Sequence, residues 1–159
     1  RADEMIIAID PGPTESAYVK LNGADVAECA KVPNTELLRM VRNDSGPQIR
    51  LAVEMIASYG MAVGAEVFET CVMIGRICEA AGAEPIRVKR IEVKSHICHN
   101  SRANDANIRQ AIIDRYGGKD AAIGKKAKPG PLYGVSGDMW AALAVGLTVL
   151  DRQKMVIAA

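Results

Sequence analysis

The chain has 159 residues, a net charge of +1, 49% apolar residues and 25% charged residues. That is enough for one domain with a proper core, and residues 1–159 are expected to form one, with 1–4 set aside as an extension. The balanced charge excludes a polycation that binds nucleic acid through bulk charge alone, and no apolar run approaches the roughly 20 residues of a membrane helix.

Met5-Ile6-Ile7-Ala8-Ile9-Asp10 opens the ordered chain. A continuous apolar run bounded by turn residues predicts a strand buried on both faces, and this one ends in a carboxylate. Pro11-Gly12-Pro13 turns the chain. Residues 16–21 and 24–32 read as two further strands, with Asn22-Gly23 as the two central residues of a hairpin turn. Pro33-Asn34-Thr35 offers an N-cap for a short helix to about Arg42, whose apolar face is Leu37, Leu38 and Val41.

Residues 49–54 form a fourth strand, again apolar and again ending in a carboxylate, Glu54. A loop containing Tyr59 leads to a long helix over 63–81, closed by Gly82. Its inward face reads as Val67, Cys71, Ile74 and Cys78. Residues 85–89 are a short fifth strand, 91–98 a short helix, and 104 or 105 to 116 another, with Ile108 and Ile112 inward. Residues 119–136 read as a basic loop punctuated by glycine and proline. A final helix covers 137–153, with Trp140, Leu143, Ala144, Leu147 and Leu150 as its apolar face and Asp138 near its start. The order βββαβαβ followed by helices is an α/β domain with a mixed sheet of about five strands flanked by helices.

The four cysteines, Cys29, Cys71, Cys78 and Cys98, form no C-x-x-C pair. They read as free buried thiols of a reducing, cytoplasmic setting. Cys98 with His96 and His99 lacks zinc-finger ligand spacing.

Asp10, Glu54 and Asp138 share one kind of position, at the end of an apolar element. Taken singly, each reads equally well as a turn cap, a solvated strand end or a helix cap. Brought together, three carboxylates repel, and a hard divalent cation is the compensation that all-oxygen donors favour. Basic residues cluster around them in sequence: Lys89, Arg90, Lys94 and Arg102 after the fifth strand, and Lys125, Lys126 and Lys128 before Asp138. Such residues neutralise DNA phosphates.

Ile9-Asp10-Pro11-Gly12, Val53-Glu54 with the helix after it, and Asp138-x-x-Ala-Ala-Leu-Ala-Val resemble the RuvC-type Holliday-junction resolvases of the RNase H-like fold. Phage and prophage members are the nearest likeness. The resemblance spans about residues 5–150. It implies an endonuclease that nicks four-way DNA junctions symmetrically as a homodimer. It also implies Mg²⁺ or Mn²⁺, with two ions about 4 Å apart held by Asp10, Glu54 and Asp138. Lys94 matches a basic position of the family that contacts the scissile phosphate. Tyr59 reads equally as a residue to stack on or wedge between junction bases and as one that packs on the long helix. The helix over 63–81 matches the dimer interface, with Val67, Phe68 and Met73 as contacts. Two positions depart from the pattern. Ala141 stands where the family has a second acid, and Asp105 where it often has a lysine. Alternative readings are an RNase H-like nuclease for flaps, branched DNA or hybrids, and a non-catalytic junction-binding protein.

Overall fold

The computed structural model describes residues 4–159. The reading of residues 1–3 as an extension lies outside the described residues. Glu4 is not idle: its carboxylate pairs with Arg50 Nε at 3.1 Å.

Five strands build the central sheet: β1 (Met5–Asp10), β2 (Glu15–Asn22), β3 (Asp25–Pro33), β4 (Ile49–Met55) and β5 (Ile86–Lys89). Their order is β3-β2-β1-β4-β5. β1 runs antiparallel to β2 and parallel to β4, while β2–β3 is antiparallel and β4–β5 parallel. The helices are α1 (Asn34–Asp44), α2 (Ala65–Ala81), α3 (Arg90–Cys98), α4 (Asp105–Arg115), α5 (Lys119–Ala122) and α6 (Met139–Ala158). None is long and apolar enough to cross a membrane.

The period of two along a strand divides the core into two halves. Ile6, Ala8, Ala17, Val19, Leu21, Ala52 and Val88 pack against α4 and α6 on one face. Ile7, Ile9, Tyr18, Leu51 and Val53 pack against α1 and α2 on the other. This is why Ile6 to Ile9 are all fully buried and read as an unbroken apolar run.

Several elements differ from the sequence expectation. The β2–β3 turn has Gly23 and Ala24 at its centre, because Asn22 pairs with Asp25, and only Gly23 takes a positive φ, of 57°. Residues 119–136 are not a plain loop. They contain α5 and a small hairpin, β6 (Gly124–Lys125) with β7 (Lys128–Pro129), anchored by buried Ala122, Leu132 and Val135. Gly130 is required there, since a Cβ would lie 2.4 Å from the carbonyl oxygens of Ala121 and Ala122.

On α2 the outward and inward faces are partly exchanged. Met73, expected at an interface, is buried in the core, whereas Cys71, expected inside, is exposed. Cys29, Cys78 and Cys98 are half-buried. Apolar residues lie on both sides of this helix, so periodicity alone cannot say which stripe faces the sheet.

α6 is buried almost all round from Ala142 to Leu150. It approaches β1 closely at Gly146, where a Cβ would sit 2.8 Å from Leu21 Cδ1 and 3.1 Å from Ala8 Cβ. Both neighbours are fully buried, so the Leu21 methyl could shift only by repacking the core around it. We predict that Gly146→Ala destabilises the fold by about 1–2 kcal/mol, the overpacking cost exceeding the gain in helix propensity. Thermal melting checks this, and a raised melting temperature would contradict the packing argument.

Candidate active site

The parallel pairing of β1 with β4 sets the site. Ala8 lies beside Ala52 and Ile9 beside Val53, which sets Asp10, the last residue of β1, next to Glu54, the last but one of β4. Both follow the parity of Ala8 and Ala52, and so project from the face that α6 covers. α6 brings Asp138 to the same end of the sheet. Its backbone stands at the N-cap position, but its carboxylate makes no capping bond. Asp138 Oδ2 instead pairs with Lys31 Nζ at 2.8 Å.

The turn after Asp10 is held by a small polar network. Ser16 Oγ accepts from the Gly12 N–H at 3.1 Å and donates to Asn34 Oδ1 at 2.7 Å. Asn34 Nδ2 donates to the Gly12 carbonyl at 3.0 Å. Asn34 is therefore not the helix cap that its position in sequence suggests: the N-cap residue is Pro33. Its side chain closes the β1–β2 loop, and Gly12 is fixed there because a Cβ would strike the Glu15 carbonyl at 2.3 Å. Ser16 and Asn34 are both buried, which satisfies each other's polar atoms and holds Asp10 in place.

Asp10, Pro11, Glu54, Met55, Ile56, Ala57, Tyr59, Thr70 and Arg90 line a cleft of about 320 Å³. Adjoining it is a smaller depression formed by Arg90, Asp105, Ile108, Gly137, Asp138, Trp140 and Ala141. Arg90 borders both. Its Nη1 donates to Glu54 Oε1 at 3.1 Å, and its Nη2 meets Asp105. Burial, a hydrogen bond to Glu54 and the nearby charges of Glu54 and Asp138 push the Asp10 carboxyl up to about 8, against a smaller opposing pull from Arg90. Without a metal the cleft therefore favours the neutral form of Asp10, hydrogen-bonded to Glu54.

The predicted basic residues divide into two groups. Arg90 lies in the cleft. Lys94 sits one helical turn farther along α3 and lines neither depression. Lys89, Arg102, Lys125, Lys126 and Lys128 are exposed, the last three around the β6–β7 hairpin. Tyr59 stands at the mouth of the cleft, 65% exposed, rather than packed on α2. His96 belongs elsewhere: its Nε2 lies 2.8 Å from Asp151, which also receives both arms of Arg115 at 2.7 Å.

Lys31 and the Arg90–Asp105 contact were missed in the sequence. A β-bulge explains Lys31. The register of β3 shifts between Lys20 and Leu21, leaving Ala27 unpaired. Without that extra residue, alternation from Val26 would send Lys31 to the opposite face. With it, Lys31 pairs with Ala17, which pairs with Asp10, so the three lie in one cross-strand row.

The donor chemistry suits a hard divalent cation: Asp10 and Glu54 offer adjacent carboxylate oxygens in a half-buried cleft. Among the described residues no three His, Cys, Asp or Glu side chains stand close enough to hold a metal as they lie. Asp138 is turned to Lys31, and rotation about its side-chain bonds is needed to bring it in.

No protein-family model matches the chain, and no curated protein does. Solved structures do. RuvC of Thermus thermophilus superposes with a TM-score of 0.64 at 17% identity, over 95% of this chain and 96% of the other. The fold is RuvC-like. A second structure, T. thermophilus RuvC in complex with a Holliday junction substrate, matches with a TM-score of 0.64 at 16% identity, over 96% of each chain. The five-strand mixed sheet flanked by helices is thus the RuvC-like RNase H fold that the sequence suggested.

A raised carboxyl pKa has a definite sign in stability. The native chain keeps the Asp10 proton up to about pH 8, whereas the unfolded chain loses it near the ordinary value of 3.8. Metal-free stability therefore falls as pH rises from about 4 to about 8. We predict that Asp10→Asn, which cannot ionise, melts above the wild type in EDTA at pH 8 by roughly 10 °C. The gap should shrink at pH 5. A gap independent of pH would contradict the buried, proton-sharing pair.

Proposed function

We propose that the chain is a divalent-cation-dependent endonuclease that nicks four-way DNA junctions. The observation that carries this reading is the pair Asp10 and Glu54. Two carboxylates are held side by side near the ends of adjacent parallel strands, in an open cleft of about 320 Å³, on a RuvC-like fold. Asp138 completes the acidic set from α6. T. thermophilus RuvC has itself been solved with a Holliday junction substrate, which supports branched DNA as the substrate class.

Mg²⁺ or Mn²⁺ bound at the carboxylates would supply an activated water and stabilise the leaving 3′ oxygen. The chain's own residues do the rest. Asp10 would release its proton to solvent and with Glu54 would hold the ion, each fixed by its strand. Arg90 neutralises Glu54 from the side of α3. Lys89, Lys94, Arg102, Lys125, Lys126 and Lys128 grip the phosphates of the arms, so affinity falls with salt. Tyr59 stacks on bases opened at the crossover. Ala141 supplies no carboxylate, so the site works with Asp10, Glu54 and Asp138, and Asp105 is held apart by Arg90.

The working unit is a homodimer, because symmetrical nicking needs two such clefts. The exposed apolar stripe of α2 supports this: Phe68 is 61% and Val72 58% exposed, beside Met61 and Val63. Phe68 remains an expected contact, Val67 flanks the stripe half-buried, and Met73 is removed from it by its place in the core.

A mobile four-way junction, incubated with Mg²⁺ and separately with EDTA, tests the proposal. We expect paired symmetrical nicks with Mg²⁺ only, and loss of at least about 10³ in rate for Asp10→Asn with junction binding kept. Cleavage of flaps but not junctions would favour the broader nuclease reading. Binding without cleavage under every metal would favour a structural junction binder.

A further inference from the structure

Two basic side chains sit directly on the carboxylates of the cleft, apart from the exposed basic clusters around it. Arg90 holds Glu54 and Asp105. Lys31 holds Asp138. Lys31 comes from β3, 107 residues from its partner, and reaches it across Ala17. Ala17 is the small residue between Lys31 and Asp10 in the cross-strand row. The bulge at Ala27 and the small residue at 17 together point this lysine toward the acidic end of the sheet.

Its partner is the one acidic residue of the set that must move to join Asp10 and Glu54. A carboxylate bound to a divalent cation gives up the lysine it was paired with, or holds it more weakly. The Lys31 side chain is 43% exposed, so solvent lies on one side of it. The charge balance explains where it goes. Asp10, Glu54, Asp105 and Asp138 carry four negative charges when all are ionised. One divalent cation with Arg90 and Lys31 balances them. A phosphodiester can then approach without net repulsion, and a freed ammonium beside the cleft has a phosphate to meet.

We infer that Lys31 is a phosphate-contacting residue of this site: it neutralises Asp138 until a divalent cation takes that carboxylate, and then turns to the bound DNA strand. The inference rests on the nuclease reading of the cleft and adds a residue and an order of events to it. Lys31 and the metal compete for Asp138. The DNA and Asp138 compete for Lys31.

The test is Lys31→Met in the full chain, with two measurements that need no cleavage. Calorimetric titration with Ca²⁺ in the absence of DNA reads the competition for Asp138. Four-way-junction affinity in Ca²⁺ and in EDTA reads the release. Expected are about 3–10-fold tighter Ca²⁺ binding, and about 3–10-fold weaker junction binding in Ca²⁺ with no change in EDTA. Lys31→Arg should restore junction affinity in Ca²⁺. Unchanged Ca²⁺ affinity would overturn the inference. So would an equal loss of junction affinity in both conditions, which marks an ordinary backbone contact. The nuclease reading is judged separately. If the wild type binds Ca²⁺ and Asp10→Asn does not, the metal site of that reading stands whatever Lys31→Met does, and the nicking assay decides the rest. If the wild type binds no divalent cation, the reading fails and this inference fails with it.

Discussion

Asp10 and Glu54 cannot both carry their charge in the metal-free cleft without strong mutual repulsion. The backbone leaves them no escape, because β1 and β4 pair in parallel and in register up to Ile9 and Val53. The cleft meets the repulsion in several ways at once. Asp10 keeps a proton, with its carboxyl pushed up to about 8. Glu54 takes Arg90. Asp138, whose charge also acts on Asp10, takes Lys31. Under the proposed function, each of these is a place that a divalent cation would contest.

The rest of the fold supplies rigidity to that end. The two-faced core buries β1 from Ile6 to Ile9, and Gly146 lets α6 lie close against it. The close approach fixes how far Asp138 stands from the strand ends. The Gly12–Ser16–Asn34 network does the same for the turn after Asp10. Groups that must hold like charges together need a frame that resists relaxation, and hydrogen bonds within a buried network resist it better than solvated ones.

What was legible in the sequence followed from strong local patterns. An apolar run ending in an acid identifies β1 and β4, and an acid opening an apolar helix identifies α6. The fold class followed from their order. What was not legible depends on register or on packing between distant elements. Lys31 reaches the site only because Ala27 bulges, and no residue type marks a bulge of that kind. Arg90 reads as one of several basic residues until β5 is laid beside β4. Lys94, only four residues on, reads as equally suited and yet lies a turn away from the cleft. The exchange of Cys71 and Met73 on α2 has the same origin: two apolar stripes on one helix are indistinguishable until the sheet selects one.

The proton on Asp10 offers the most direct measurement. If a divalent cation replaces it, binding at pH 7 must release protons to the buffer. Calorimetric titration with Mg²⁺ in buffers of different ionisation enthalpy counts them. The account predicts about one proton released per site at pH 7, and none from Asp10→Asn. Mg²⁺ binding with no proton release, or with the same release from the variant, would contradict it.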